Sequence, residues 1–377
     1  MEVSSNTIAI ECLSRDPGNG YLKAFDGSGQ PWLTPSIVAE VSPGSHFPGL
    51  ELPYGAHVQY VDGDRQDLKG REWLIGQAGL YETEHFERTV ETGKLNLGLQ
   101  LILGSLPIPP GFSGVIHVKR LCVCLPDARR DAASLKAKLG NRHVIKHNHG
   151  ALVEVRWDEV KVVEEGEGAI ELSKRSQILG RNEGAGLLDL GCGTAIASYV
   201  NPQGRINYAA RTPYPLGVNY LASELIGKDY RFIQRFGSAP QIHLIIEGIE
   251  KGMQSLENSQ DFGGSGVFWY GTMGTFDDIF KEKRSIWLRD VVTKTMATLG
   301  RFEAQISKIV IVGGGACLLK NVNNNKIALC PNPQFANVLG MVDQPATPAT
   351  LAGVTGVNVT INAALNGRGN SKTRAGV

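Results

Sequence analysis

The sequence predicts an α/β protein of two related halves, each a mixed β-sheet flanked by helices. A loop of one design occurs twice, about half a chain apart: Asp16-Pro17-Gly18-Asn19-Gly20-Tyr21-Leu22-Lys23 and Asp189-Leu190-Gly191-Cys192-Gly193-Thr194. The segments that carry the loops repeat one order of strand, Gly loop, strand, turn and strand, over residues 7–42 and 186–212. A third glycine-rich loop, Gly313-Gly314-Gly315-Ala316, follows a strand-like run. Glycine lets backbone N–H groups come close to phosphate oxygens. A carboxylate beside them can hold the water shell of a magnesium ion.

In chain order, Thr7–Cys12 reads as the first strand, and Asp26-Gly27-Ser28-Gly29 is a turn between the next two. Residues 43–72 are rich in Gly, Pro and Asp, with His57–Val61 as a short strand. Glu72–Ile75 is another strand, and Gly76 opens a helical stretch. Glu91–Gly104 carries Leu95, Leu99 and Leu103, the spacing of one helical stripe. Beyond Pro107, Pro109 and Pro110, Gly114–Leu125 reads as a strand and Asp131–Leu139 as a short helix. His143–Ile145 and Ala151–Val163 are strands around the turn Asn148-His149-Gly150. Glu167–Gly180 is a helix ended by Gly180.

The second half opens with strands Gly186–Leu188, Ala195–Val200 and Arg205–Ala210, the last two joined by the turn Asn201-Pro202-Gln203-Gly204. Residues 215–299 are mostly helical, and Lys308–Val312 is a buried strand. The expected domains are 1–183, with an outer insert at about 30–105, and 184–365, with an outer helical part at about 215–299. The polar, basic tail 366–377 is expected to be disordered and dispensable for folding and turnover, since it has almost no apolar surface to bury.

The 377-residue length suits two or three domains, given ~100–200 residues for each. Lys and Arg number 38 and Asp and Glu 37, which argues against a protein that coats nucleic acid or reads its sequence directly. No run approaches the ~20 apolar residues of a membrane helix. The N-terminus has no basic segment followed by an apolar core, so a cytoplasmic location is expected. None of the six cysteines forms a Cys-x-x-Cys pair, which removes zinc ribbons and thioredoxin motifs. Cys122 and Cys124 share one strand face and read as core.

Taken alone, Leu187–Thr194 is similar to the glycine-rich first motif of S-adenosylmethionine-dependent methyltransferases. That use requires the loop to open a helix and a following strand to end in an acid. Here Ala195–Val200 runs straight into a turn, and Arg205–Ala210 returns without an acid at its end. The loop therefore reads as a hairpin tip.

Taken together and in order, several segments resemble the actin-like ATPases of the bacterial and archaeal ParM type. They are Asp16-x-Gly18-x-Gly20 with Lys23, Trp73–Ala78, Val160–Gly166, Asp189-x-Gly191-x-Gly193-Thr194, Val310–Ala316 and Pro331–Asn337. The resemblance implies an actin-like ATPase fold, two related domains with a nucleotide cleft between them. It implies Mg²⁺ with ATP or GTP, hydrolysis, and self-assembly into filaments that serve plasmid DNA segregation through an adaptor protein. It further implies that Asn19 and the first loop's backbone meet the γ-phosphate, and that Lys23 meets β/γ oxygens. Asp16 and Asp189 would hold magnesium through water. Gly191, Gly193 and Thr194 would cradle the phosphates from the other side, and Gly313–Ala316 would lie against the α-phosphate and adenosine. Glu165 would orient the attacking water. Glu247, Glu250 and Lys251, on the predicted helix His243–Met253, would reach ribose and base, or else form a solvated face.

Two departures stand out. Pro17 removes a backbone N–H beside the first loop, and Cys192 stands where a polar residue or glycine is usual. A non-polymerising sugar-kinase type shares these loops, but it needs a further catalytic acid, for which the sequence offers no separate candidate. The tail lacks the apolar residues of a membrane-binding end. His143, His147 and His149 lack a completing acid or cysteine and are expected to be surface histidines rather than a metal site.

Overall fold

The computed structural model describes residues 6–27, 29–258, 266–319 and 325–342. The first half contributes strands β1 (Thr7–Pro17), β2 (Tyr21–Phe25), β3 (Trp32–Pro35), β4 (Ile37–Val41), β5 (Gly55–Gly63), β6 (Glu72–Ile75), β7 (Glu87–Arg88), β8 (Gly114–Leu125), β9 (Arg142–His147) and β10 (Leu152–Glu164). They form one ten-stranded sheet in the order β3-β2-β1-β8-β10-β9-β5-β6-β4-β7. The second half contributes β11 (Ala185–Leu190), β12 (Ala195–Val200), β13 (Ile206–Tyr214), β14 (Lys308–Val312) and β15 (Ile327–Leu329). These form a five-stranded sheet in the order β13-β12-β11-β14-β15.

The internal echo in the sequence is an echo of topology. Along β3-β2-β1-β8-β10 the neighbours are antiparallel, antiparallel, parallel and parallel. Along β13-β12-β11-β14-β15 the directions come in the same order. The strands β9, β5, β6, β4 and β7 extend the first sheet beyond this common unit. They begin after Ser36, where the single strand expected up to residue 42 splits, so β3 remains part of the common unit.

The alternation of side chains along β8 separates two layers of core. Leu121, Val123 and Leu125 pack with the helix Lys94–Gly104 and the insert strands. Cys122 and Cys124, fully buried as expected, pack with Leu187, Val310 and Val338 between the halves. A third cluster joins β11 and β14 to helices Ile242–Asn258 and Asp277–Leu299. The helices Glu167–Arg175 and Ala336–Gly340 cross between the sheets. A Cβ on Gly340 would lie 1.6 Å from the Gly168 carbonyl oxygen, so this crossing needs glycine.

Several expectations are corrected. The stretch Glu91–Gly104 is two helices, Thr89–Thr92 and Lys94–Gly104, because Gly93 takes φ +89°. Leu97, Leu99, Leu101, Ile102 and Leu103 are all buried, so the second of these is enclosed on most sides rather than along one stripe. The helix from Glu167 ends at Ser176, where Gln177 turns with φ +60°, before Gly180 is reached. Of the three histidines expected at the surface, only His149 is exposed; inward-facing positions of β9 bury His143 and His147, at 0% and 8% exposure. His143 Nδ1 shares a hydrogen bond with the Tyr60 hydroxyl, and His147 Nε2 lies 3.2 Å from the Gly104 carbonyl oxygen. The tail 366–377 lies outside the described residues. No described helix is long and apolar enough to cross a membrane.

Candidate active site

The two Asp-Gly loops are the tips of the β1–β2 and β11–β12 hairpins, and they face each other across a cleft of about 540 Å³. This is the hairpin context that separates them from a strand-to-helix crossover. Both tips close with the same hydrogen bond. The Gly18 N–H donates to the Tyr21 carbonyl at 3.0 Å, and the Gly191 N–H donates to the Thr194 carbonyl at 2.8 Å. That bond engages the first glycine's donor within its own loop. The N–H groups of Asn19, Gly20, Cys192 and Gly193 have no acceptor among the described residues. Successive unengaged N–H groups form a concavity suited to an anion. Pro17 lies in β1 opposite Leu22, so its missing donor falls before this set, not within it.

Glycine lets the tips approach one another. A Cβ on Gly20 would lie 2.8 Å from Cys192 Sγ, and a Cβ on Gly193 would lie 2.6 Å from the Asn19 side-chain nitrogen. Cys192 therefore touches the opposite loop. The third loop lies behind the second. Gly313 has φ +90°, and its Cβ would fall 2.5 Å from Asp189 Oδ1. Gly314, Gly315 and Ala316 continue along the cleft wall.

The floor of the cleft is charged. Asp16 is 2% exposed, and Lys23 Nζ lies 3.1 Å from its Oδ2. Burial alone would raise the Asp16 pKa, but Lys23 and Lys94 outweigh it and hold the group at about 2. Enclosure pushes Asp189 the other way, up to about 6, with Glu165 and Asp16 adding to the rise against the pull of Lys23. Glu165 follows β10 and lines the same floor. Asp16, Glu165 and Asp189 thus converge from separate strands on one space.

Of the helix residues singled out in the sequence, only Glu250 lines the cleft, beside Ile246, Ile249 and Met253. Its Oε2 accepts from the Tyr21 hydroxyl at 2.8 Å, a direct link between the halves. Burial raises its pKa to about 7, although the Tyr21 bond opposes the shift. Glu247 and Lys251 pair with each other one helical turn apart, half exposed, and are not among the lining residues.

Sequence reasoning passed over several residues here. Lys94 is 7% exposed, contacts Glu165 Oε1 and lies 3.2 Å from Asp16 Oδ1. Burial would lower its pKa, but Glu165 and Asp16 raise it well above the ordinary lysine value. Its signal is that of the one charged residue in the helix Lys94–Gly104, placed at its first position. Thr89 donates from its hydroxyl to the Gly18 carbonyl at 2.7 Å. Arg211, on β13, donates to the Glu165 carbonyl at 3.1 Å. Asn337 Oδ1 accepts from the N–H groups of Gly166 and Ala169, capping the helix that follows Glu165. Thr89 and Arg211 act across the fold, where linear spacing gives no sign, whereas Asn337 closes the segment Pro331–Asn337 that the resemblance already marks.

No group of three His, Cys, Asp or Glu side chains among the described residues could cage a metal ion. The cleft does fit hydrated magnesium. Two carboxylates, Asp16 and Asp189, line it, and enclosure pushes the second towards its protonated form, a shift that a nearby cation would reverse. Mg²⁺ typically uses one or two carboxylates, waters and substrate phosphates rather than an all-protein cage.

No protein-family model and no curated protein sequence matches this chain. Solved structures do. An archaeal actin homologue, Ta0583, superposes with a TM-score of 0.66 at 14% identity, covering 88% of this chain and 97% of that one. Bacillus thuringiensis ParM with ATP gives 0.62 at 14% identity, covering 87% and 96%. A non-polymerisable quadruple mutant of pCBH ParM gives 0.63 at 18% identity, covering 89% and 98%. The chain therefore has a two-domain actin-like fold of the ParM type.

Proposed function

We propose that this chain binds Mg-ATP in the cleft, hydrolyses it, and assembles with its own copies into filaments under control of the nucleotide. The observation that carries the reading is the pair of matched hairpin tips, each with unengaged N–H groups, closing on one charged floor. A polyphosphate is the ligand that such opposed donors and Lys23 suit. The open N–H groups of Cys192 and Gly193, in the turn that Gly191 and Thr194 close, hold it from one side, and Asn19, Gly20 and Lys23 from the other. The apolar wall of Ile246, Ile249 and Met253, with Gly313–Ala316, takes the base, and Glu250 takes ribose hydroxyls.

Phosphoryl transfer is mainly positioning and charge stabilisation. Asp16 and Asp189 would hold magnesium through its waters, and the bound ion neutralises phosphate charge. Glu165, held through its backbone by Arg211, accepts a hydrogen bond from the attacking water and orients it. Lys23 and the open N–H groups stabilise the oxygens that gain charge. Among the described residues the carboxylates in the cleft number four, Asp16, Glu165, Asp189 and Glu250, and each has a part in this scheme. None remains as the separate acid of a small-molecule kinase. Plasmid DNA segregation through an adaptor is the cellular role we propose for the filament.

Calorimetric titration with Mg-ATP, Mg-GTP and S-adenosylmethionine tests the site. Saturable heat with a Mg-nucleotide and none with S-adenosylmethionine is expected. The reverse pattern would replace this function with methyl transfer.

A further inference from the structure

We propose that Lys94 is a positioning residue of the active site, a cation that fixes Asp16 and Glu165 relative to one another from beneath the cleft floor. The inference rests on the functional reading above, since it assigns Lys94 a part in that reaction. Its Nζ contacts Glu165 Oε1 and lies 3.2 Å from Asp16 Oδ1, yet Lys94 is not among the cleft-lining residues. It therefore acts through the two carboxylates and not on a ligand.

The location of Lys94 is set by an element with little freedom. Lys94 is the first residue of the helix Lys94–Gly104, which is enclosed in the first core. The other end of that helix is tied to the residue beside Asp16. Arg15 donates from Nε to the Ser105 hydroxyl and from Nη2 to the Ser105 carbonyl, each at 2.8 Å. The helix is thus fastened at both ends to neighbouring residues of β1. One short segment earlier, Thr89 holds the Gly18 carbonyl at 2.7 Å. The stretch 89–94 grips the first loop and both carboxylates together.

A lysine at a helix N-terminus is at the wrong end of the helix dipole, and a buried lysine is rare unless paired. Its helix gains nothing from that charge, whereas the two carboxylates do. Without Lys94 the two carboxylates would repel at close range, and Glu165 would lose the contact that fixes its side chain. Misplacement of about 1 Å at a reacting centre costs on the order of 10²-fold in rate.

The test compares wild type, K94M, E165A and the double variant K94M/E165A. Readouts are the thermal midpoint, Mg-ATP affinity by calorimetry, and the single-turnover hydrolysis rate. K94M is expected to bind Mg-ATP within about threefold of wild type and to hydrolyse it at least about tenfold more slowly. Added to E165A, it should cost less rate than it costs alone, because the part of its effect that runs through Glu165 is already lost. Wild-type turnover by folded K94M would overturn the proposal, as would full additivity with E165A or equal losses in affinity and rate. If K94M does not fold, K94R carries the test. It keeps the charge with altered reach, and should bind Mg-ATP and turn over more slowly than wild type. Equal rates would overturn the proposal. A wild-type chain that binds no Mg-nucleotide would instead remove the functional reading, and this proposal with it.

Discussion

At the scale of single residues, the floor of the cleft brings together Asp16, Glu165 and Asp189, and its two aspartates are pushed in opposite directions. Asp16 lies between two lysines at a pKa of about 2, while Asp189 is pushed up to about 6 by enclosure. Substituting Glu165 or Asp189 with alanine should leave Mg-ATP binding measurable, because the open N–H groups and Lys23 remain. Hydrolysis should fall by ~10²-fold or more, the usual loss when a positioned polar group is removed. A phosphate-release assay beside calorimetry checks this, and wild-type turnover in either variant would remove that residue from the mechanism. Glu250 gives a pH effect. Its folded pKa is raised from 4.5 to about 7, so the folded state holds its proton over a range where the unfolded state has lost it. Stability from this group is therefore full below about 4.5 and declines as pH rises towards about 7. E250Q keeps an acceptor for the Tyr21 hydroxyl but cannot ionise. The thermal midpoint of the ligand-free variant should fall less than that of wild type across this window. Identical pH profiles would show that Glu250 is not held in its raised state. At this scale the sequence was most legible where spacing is local. Asp16, Gly18, Asp189 and Gly191 announce themselves within a few residues. Lys94, Arg211 and Tyr21 matter through partners 71, 46 and 229 positions away, and no local pattern encodes that.

At the scale of elements, strands bounded by glycine or proline were read closely, and helices less so. Glu72–Ile75, Gly114–Leu125 and Lys308–Val312 have the predicted bounds. The run after Glu91 is helical as its leucine spacing predicts, but the break at Gly93 and the burial of nearly every residue that follows are set by tertiary packing and leave no local mark. The buried histidines failed for a related reason. A polar residue on an inward strand position looks like a surface residue until its partner, here Tyr60 or the Gly104 carbonyl, is known. The crossing of Glu167–Arg175 with Ala336–Gly340 makes its own demand. G340A would force a methyl group against the Gly168 carbonyl. Overpacking of this kind costs ~1–3 kcal/mol. A urea titration should show a lower midpoint with the slope unchanged, and an unaltered midpoint would mean that the crossing yields more easily than its geometry implies.

For the whole molecule, two sheets that share a five-stranded unit each present one Asp-Gly hairpin to a common cleft, and the Tyr21–Glu250 hydrogen bond links the two halves. The repeat of residues 7–42 in 186–212 made this architecture legible in the sequence. The extension of the first sheet by β9 and the four insert strands β4 to β7 was not, because β9 comes from outside the insert and pairs with β5 over a long stretch of intervening chain. If nucleotide closes the cleft, it also fixes the relative orientation of the two halves, and that orientation decides whether copies can stack. Assembly should therefore depend on the nucleotide. The most direct measurement is right-angle light scattering of the purified full-length chain at micromolar concentration, with Mg-ATP, with Mg-ADP and without nucleotide. A rise in scattering on adding Mg-ATP, reversed as the nucleotide is consumed and absent without nucleotide, is the expected result. A flat trace under all three conditions across a wide salt range, from protein that binds Mg-ATP, would contradict filament formation.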